Sequence, residues 1–187
     1  MKQLHRIFFT LTVIWMVIIF IFSSQPSDMS SNTSGFFTNL VLDIFVPDYD
    51  NYDSIKQQEV YETTSFIIRK CAHFAEYAIL SCFAFVTILT RKCLQKTDGY
   101  IFANTKQAHA DIYRACRFKS IVLAVIFSIL YAATDELHQG FVDGRVPAPM
   151  DVLIDGAGAL FGALFITLII SRYYRKKYKV RRKKLPG

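Results

Sequence analysis

Three short runs of this chain hold residue types that do chemistry, set at helical spacing. Arg69, Lys70, His73, Glu76 and Tyr77 form the first. Asp135, Glu136, His138 and Gln139 form the second, and Arg145, Asp151 and Asp155 the third. At ~100° per residue, Arg69, His73 and Glu76 share an arc of roughly 60° on one helix, with Tyr77 at its flank. That face offers a cation, an imidazole and a carboxylate within two turns. Asp135, His138 and Gln139 share a side with Ser128 and Tyr131, while Glu136 points elsewhere, toward water. Asp151 and Asp155 lie one turn apart, and Gly158 and Gly162 continue their stripe.

Such a set supports two chemistries. Imidazole and carboxylates move protons near neutral pH as general acids and bases. His73, Glu76, Asp135 and His138 are also competent ligands for a divalent metal in assisted hydrolysis. The His-Glu-x-x-His zinc motif is absent, so spacing does not choose between the two, and the cofactor stays open. The expected catalytic set is His73, Glu76, Asp135, His138, Asp151 and Asp155. Arg69, Lys70 and Arg145 would grip a phosphate or carboxylate, arginine offering a two-pronged fork. Tyr77 and Gln139 complete the expected substrate-binding set. Buried acid–base pairs can also serve only to hold helices together. No serine sits in a nucleophile elbow, and no glycine-rich nucleotide loop is visible.

The elements that must position these groups are membrane helices. The chain has 187 residues, is 52% apolar and carries a net charge of +7. Apolar stretches at about 7–22, 71–90, 120–135 and 152–171 read as four spans of an all-α membrane bundle. The first is short, but Leu4 and snorkelling by Lys2 and Arg6 extend it. The third reaches full length only by taking in Thr134 and Asp135. All but four of the 22 lysines and arginines fall at the N-terminus, in 91–119 or after 171; the exceptions are Lys56, Arg69, Lys70 and Arg145. By the positive-inside rule both termini are cytoplasmic, and every charged motif lies on the extracytoplasmic face.

This partition makes residues 1–171 a membrane domain and 172–187 a basic cytoplasmic tail. The tail is expected to sit on anionic inner-leaflet lipid rather than on nucleic acid, since no folded basic module surrounds it. No small-residue cleavage site follows the first apolar stretch, so it reads as an uncleaved span. The four cysteines form no close pair and imply neither a metal site nor a disulfide framework.

Between the first two spans lies an extracytoplasmic stretch, 23–70. Ser27–Gly35 reads as loop. Phe36, Phe37, Leu40, Val41, Ile44 and Phe45 then make a narrow apolar face on a short helix ended by Pro47. That helix either lies in the membrane interface or covers the bundle. Asp48, Asp50 and Asp53 read as a solvated loop, because the spacing is not that of an EF-hand. Ser54 with Gln57 resembles a capping box, opening a helix able to run on into the second span. The stretch 91–119, with His109, reads as a polar cytoplasmic loop without a site.

Two local features bring the charged runs together. Small residues four apart let membrane helices approach closely, so the Asp155–Gly158–Gly162 stripe should face other helices. Facing lipid would cost Asp155 far more. Asp143-Gly144 signals a turn, and Pro147 and Pro149 stiffen the connection that holds Arg145 over the cluster.

The assembled motifs resemble the VanZ-like family. They are Arg69-Lys70-x-x-His73-Phe74-x-Glu76-Tyr77, Asp135-Glu136-x-His138-Gln139 with Arg145, and Asp151-Val152-x-x-Asp155-x-x-Gly158. Phe22-Ser23-Ser24-Gln25-Pro26 after the first span is also similar to that family's pattern. The resemblance implies a multi-pass bacterial plasma-membrane protein, in a family whose founding member is linked to resistance to the glycopeptide teicoplanin. It names a phenotype and not a reaction. The leading functional reading is an outward-facing membrane hydrolase or transferase acting on a lipid-linked or lipid-derived envelope substrate. The alternatives are a non-enzymatic binder of an envelope head group or antibiotic, and a small transporter.

Overall fold

The computed structural model describes residues 1–98 and 106–182. Five α-helices account for nearly all of them: α1 (Lys2–Ser23), α2 (Ser27–Phe45), α3 (Ser54–Asp98), α4 (Lys106–Gln139) and α5 (Pro149–Arg182). A single 3-10 turn, Tyr49–Asn51, links α2 to α3, and there is no strand among the described residues. Helices α1, α3, α4 and α5 each contain a stretch long and apolar enough to cross a membrane.

Helix α3 is the spine of the fold, and every other helix packs on it. Its 45 residues span roughly 67 Å at 1.5 Å per residue, more than twice the ~30 Å thickness of a bilayer's hydrocarbon core. Only its apolar half, from about Cys71, suits lipid; the half carrying Lys56, Gln58, Glu59 and Glu62 suits water. The predicted unbroken run from Ser54 into the second span is what forms. The cap lies one residue earlier than expected. The Asp53 carboxylate accepts the Lys56 amide proton at 2.9 Å, while the Gln57 side chain donates to the carbonyls of Tyr49 and Asp50.

Two stretches predicted as loops are helical instead. Ser27–Gly35 is the first half of α2, entered through Pro26, whose fixed φ suits a helix start. The helix ends at Phe45, just before Pro47, as its apolar pattern predicts. Most of 91–119 continues α3 or begins α4, so only 99–105 is left to connect them; that connection, like 183–187 of the basic tail, lies outside the described residues. Ser34, Thr38 and Leu42 turn one side of α2 inward, and Gly35 abuts the Tyr61 hydroxyl of α3.

The α3–α5 contact is made at backbone distance. A side chain at Gly158 would overlap the Phe74 carbonyl, and one at Gly162 the Ala78 carbonyl. The glycine stripe thus meets α3, and the Cys82 thiol donates to the Gly162 carbonyl at 3.2 Å. Toward the basic end, Ala84, Phe85, Leu89, Tyr113, Cys116 and Ala124 form one apolar core; nearer the charged end, Ile19, Tyr77, Leu80 and Ala132 form a second.

Helix α1 is fastened by polar pins at several levels. His5 Nδ1 lies 3.1 Å from the Thr87 carbonyl and 3.2 Å from the Thr90 hydroxyl. The Trp15 indole donates to the Glu76 carbonyl at 2.9 Å, and the Tyr131 hydroxyl to the Met16 carbonyl at 2.7 Å. Satisfying carbonyls and ring N–H groups inside the bundle matters because lipid offers no partner.

Candidate functional site

At the end of the bundle where α2 sits, the charged runs of α3, α4 and α5 converge on two adjoining cavities. The one beside α1 and α2 holds about 230 Å³ and is lined by Arg69, His73 and Glu76 of α3 and Asp135 and Gln139 of α4, with Arg145 from the α4–α5 loop. Phe22, Phe37 and Ile68 give it an apolar side. The second, about 290 Å³, opens toward the α4–α5 loop and adds Phe66, Lys70 and Asp151. Arg69, His73, Gln139 and Arg145 border both, so together they frame one cleft. The combined space falls within the ~300–1,000 Å³ typical of small-molecule sites.

The arc predicted for α3 places Arg69, His73 and Glu76 on one wall. His73 faces α5 because the glycine contact pulls the two helices together just below it. Its Nδ1 is buried 3.6 Å from Asp155 Oδ1, an ion-pair distance too long for a hydrogen bond. Asp155 is 2% exposed, and its Oδ1 accepts no hydrogen bond. With Nδ1 turned to that carboxylate, Nε2 is the ring nitrogen left for a substrate.

One turn nearer the surface, Lys70 donates to Asp151 across the same seam. Lys70 was expected among the substrate-binding cations; it is instead ion-paired, though it borders the second cavity. Arg69 and Arg145 are different. Neither has a carboxylate partner among the described residues. Arg145 donates to Gln139 Oε1 at 3.4 Å, and Gln139 in turn donates to Asp135 Oδ2 at 3.1 Å. Arg145 Nε is buried without an acceptor among the described residues. Burial, reinforced by the like charge of Arg69, pulls the Arg145 guanidinium below its usual range.

Three residues, two on α4 and one on α3, are placed otherwise than the sequence reading had them. Glu136 does not face water: it is 7% exposed and accepts the Ala148 amide proton. It thereby anchors the N-terminus of α5, where a carboxylate is favoured and where Pro149, the first helical residue, has no amide proton to give. His138, expected to be catalytic, does not line either cavity. Its ring stacks on Phe20 with centroids 4.7 Å apart, and its Nε2 lies 3.1 Å from the Ser24 hydroxyl. The inward arc of α4 is centred between Asp135 and Glu136, which puts Gln139 in the cleft and His138 at the edge facing α1. Tyr77, expected to touch substrate, is fully buried one turn below His73, in the core with Ile19, Leu80 and Ala132.

Some contributors were not anticipated. Ser23, 5% exposed, and Gln25 close the cavity from α1's end. They lie in Phe22-Ser23-Ser24-Gln25-Pro26, a signal that was visible but carried no assigned role. Phe37 lines the cavity from the apolar face of α2, so that helix covers the bundle there. Among the described residues, no three His, Cys, Asp or Glu side chains gather closely enough to hold a metal ion. His73, Glu76, Asp135 and Asp155 border or adjoin the cleft without converging on one point, so the donor set suits proton transfer and ion binding better than metal ligation.

The cleft, the glycine seam and the three charged runs all lie inside the stretch matched by one family. No curated protein and no solved structure matches the chain. The VanZ/LLP1 family model matches residues 8–170, most of the sequence, and the chain belongs to that family.

Proposed function

We propose that this VanZ/LLP1 protein works at the extracytoplasmic face of the bacterial plasma membrane, binding the anionic head group of a lipid-linked or lipid-derived envelope substrate and moving a proton on it. The observation that carries this reading is the pair Arg69 and Arg145, without carboxylate partners among the described residues, on a cleft also bordered by His73, which pairs with Asp155 behind it. Cations left without a counter-charge in a half-buried cleft favour an anionic ligand, and arginine forks match phosphate geometry. The apolar side formed by Phe22, Phe37 and Ile68 suits a ligand that keeps its tail in lipid. Asp155 would hold the His73 ring in place and stabilise the imidazolium that forms when Nε2 takes a proton. A hydrolase or transferase is the reaction class that needs such a step.

The test compares envelope lipids and lipid-linked precursors by mass spectrometry in cells carrying empty vector, wild type or His73→Ala at equal membrane abundance. A species altered by wild type alone supports the enzyme and reveals its substrate. Equal profiles for wild type and His73→Ala would remove the catalytic role.

A second reading, a binder that changes surface accessibility to teicoplanin, draws on the Arg145–Gln139–Asp135 chain, which holds a cation in place at the cleft. It expects reduced teicoplanin susceptibility that survives His73→Ala and disappears with Arg145→Glu.

A further inference from the structure

The cavity beside α1 and α2 carries unmet charges of both signs. Asp135 is 5% exposed, and while Oδ2 accepts a hydrogen bond from the Gln139 amide, Oδ1 has no hydrogen-bond partner among the described residues. Glu76 borders the same cavity. Ser23, also 5% exposed, adds a hydroxyl with no partner among the described residues. Arg69 and Arg145 face them, with Arg145 Nε lacking an acceptor. Buried polar atoms are normally paired, so a wall short of both donors and acceptors describes what its ligand must bring.

A simple anion would satisfy the arginines but leave Asp135 Oδ1 without a donor and set a negative charge beside two carboxyl groups. A neutral lipid would satisfy neither side. A quaternary ammonium has the right charge but no N–H to give. A phosphate joined to a primary ammonium meets the whole set: phosphate oxygens accept from Arg69 and Arg145, and the ammonium donates to Asp135 and Glu76. The apolar side beside them, Phe22, Phe37 and Ile68, then receives a hydrocarbon chain.

We infer that the cleft recognises an amphiphile whose head group bears both a phosphate and a primary ammonium. This rests on Arg69 and Arg145 being the anion grip proposed above, and adds the ammonium subsite at Asp135 and Glu76.

The experiment measures competition for the purified full chain in neutral-detergent micelles, against a fluorescent short-chain phosphoethanolamine lipid. Competitors are unlabelled phosphoethanolamine, phosphocholine and phosphoglycerol lipids of equal chain length, and water-soluble glycerophosphoethanolamine. Phosphoethanolamine should compete about tenfold better than phosphocholine or phosphoglycerol, the size of one charge-assisted hydrogen bond. Asp135→Asn should erase that preference. If this variant does not fold, the ranking on wild type decides alone. Phosphoglycerol competing equally, with binding still lost in Arg145→Gln, would overturn the ammonium subsite and leave the anion grip standing. Binding of every lipid unchanged in Arg145→Gln would overturn the grip, and this inference with it. Glycerophosphoethanolamine competing as well as the lipid would overturn the amphiphile and point to a soluble head group.

Discussion

His73 lies on the α3–α5 seam and His138 on the α1–α4 side of the same bundle. Each has a carboxylate three residues away on its own helix, Glu76 for one and Asp135 for the other. His73 is held against Asp155 and borders both cavities, whereas His138 stacks on Phe20 and fastens the end of α1. The difference comes from the neighbouring helix. Beside His73, two glycines let α5 approach at backbone distance and bring its aspartates within reach. Beside His138, α1 presents an aromatic ring and a hydroxyl, so the imidazole becomes a packing and hydrogen-bonding group.

The sharpest way to break this contrast is to push the seam apart. Gly162→Leu should destabilise the fold by about 3 kcal/mol or more, because the new side chain must displace the α3 backbone. Loss of membrane abundance, or a large fall in thermal midpoint in detergent, is the expected result. A variant as stable as wild type would show that the seam is not closed as described.

Next in size is the split between the histidines. His73→Ala should reduce any lipid-modifying turnover by roughly 10²–10⁴-fold at near-normal abundance. His138→Ala should retain turnover within a few-fold but lose about 1 kcal/mol of stability with its ring stack and hydrogen bond. Measuring both quantities on both variants checks the assignment; the reverse pattern would exchange the two roles.

The Lys70–Asp151 bridge comes third. A double-mutant cycle with Lys70→Met and Asp151→Asn should give a coupling of about 1–3 kcal/mol in thermal stability, with the double variant less impaired than the sum of the singles. Additive effects would mean that the two groups act separately. The mildest change is Glu136→Gln, which keeps an acceptor for the Ala148 amide. It should lower stability by only about 1 kcal/mol, and Glu136→Ala by up to about 3 kcal/mol, both read from unfolding midpoints.

Much of the architecture was legible in the sequence because membrane helices obey local rules. Apolar runs of sufficient length, proline stops and glycine spacing marked four spans and the end of α2. The inward face of α3 followed from its own periodicity, and Asp155 could be placed inside because lipid would be so costly for it. The misreadings share one cause. Ser27–Gly35 looks like loop by composition, but Pro26 opens a helix that α3 supports. Glu136 and His138 point to nearly opposite sides of α4, so which of them turns inward depends on where the inward arc is centred, and the neighbouring helices decide that. Lys70 and Arg145 were indistinguishable as cations, since only the position of Asp151 decides which one is paired.

The sequence by itself determined the four membrane-length helices, the family, and the gathering of acids, imidazole and guanidinium groups at one end of the bundle. These depend on hydropathy, spacing and residue type, all of which act within a turn or two of helix. Only the tertiary structure decided that His73 rather than His138 meets the cleft, that Lys70 is ion-paired while Arg69 and Arg145 have no carboxylate partner among the described residues, and that Asp135 and Ser23 keep atoms without partners there. Those outcomes depend on which helix lies opposite and how near it comes, and here two glycines on α5 set that distance.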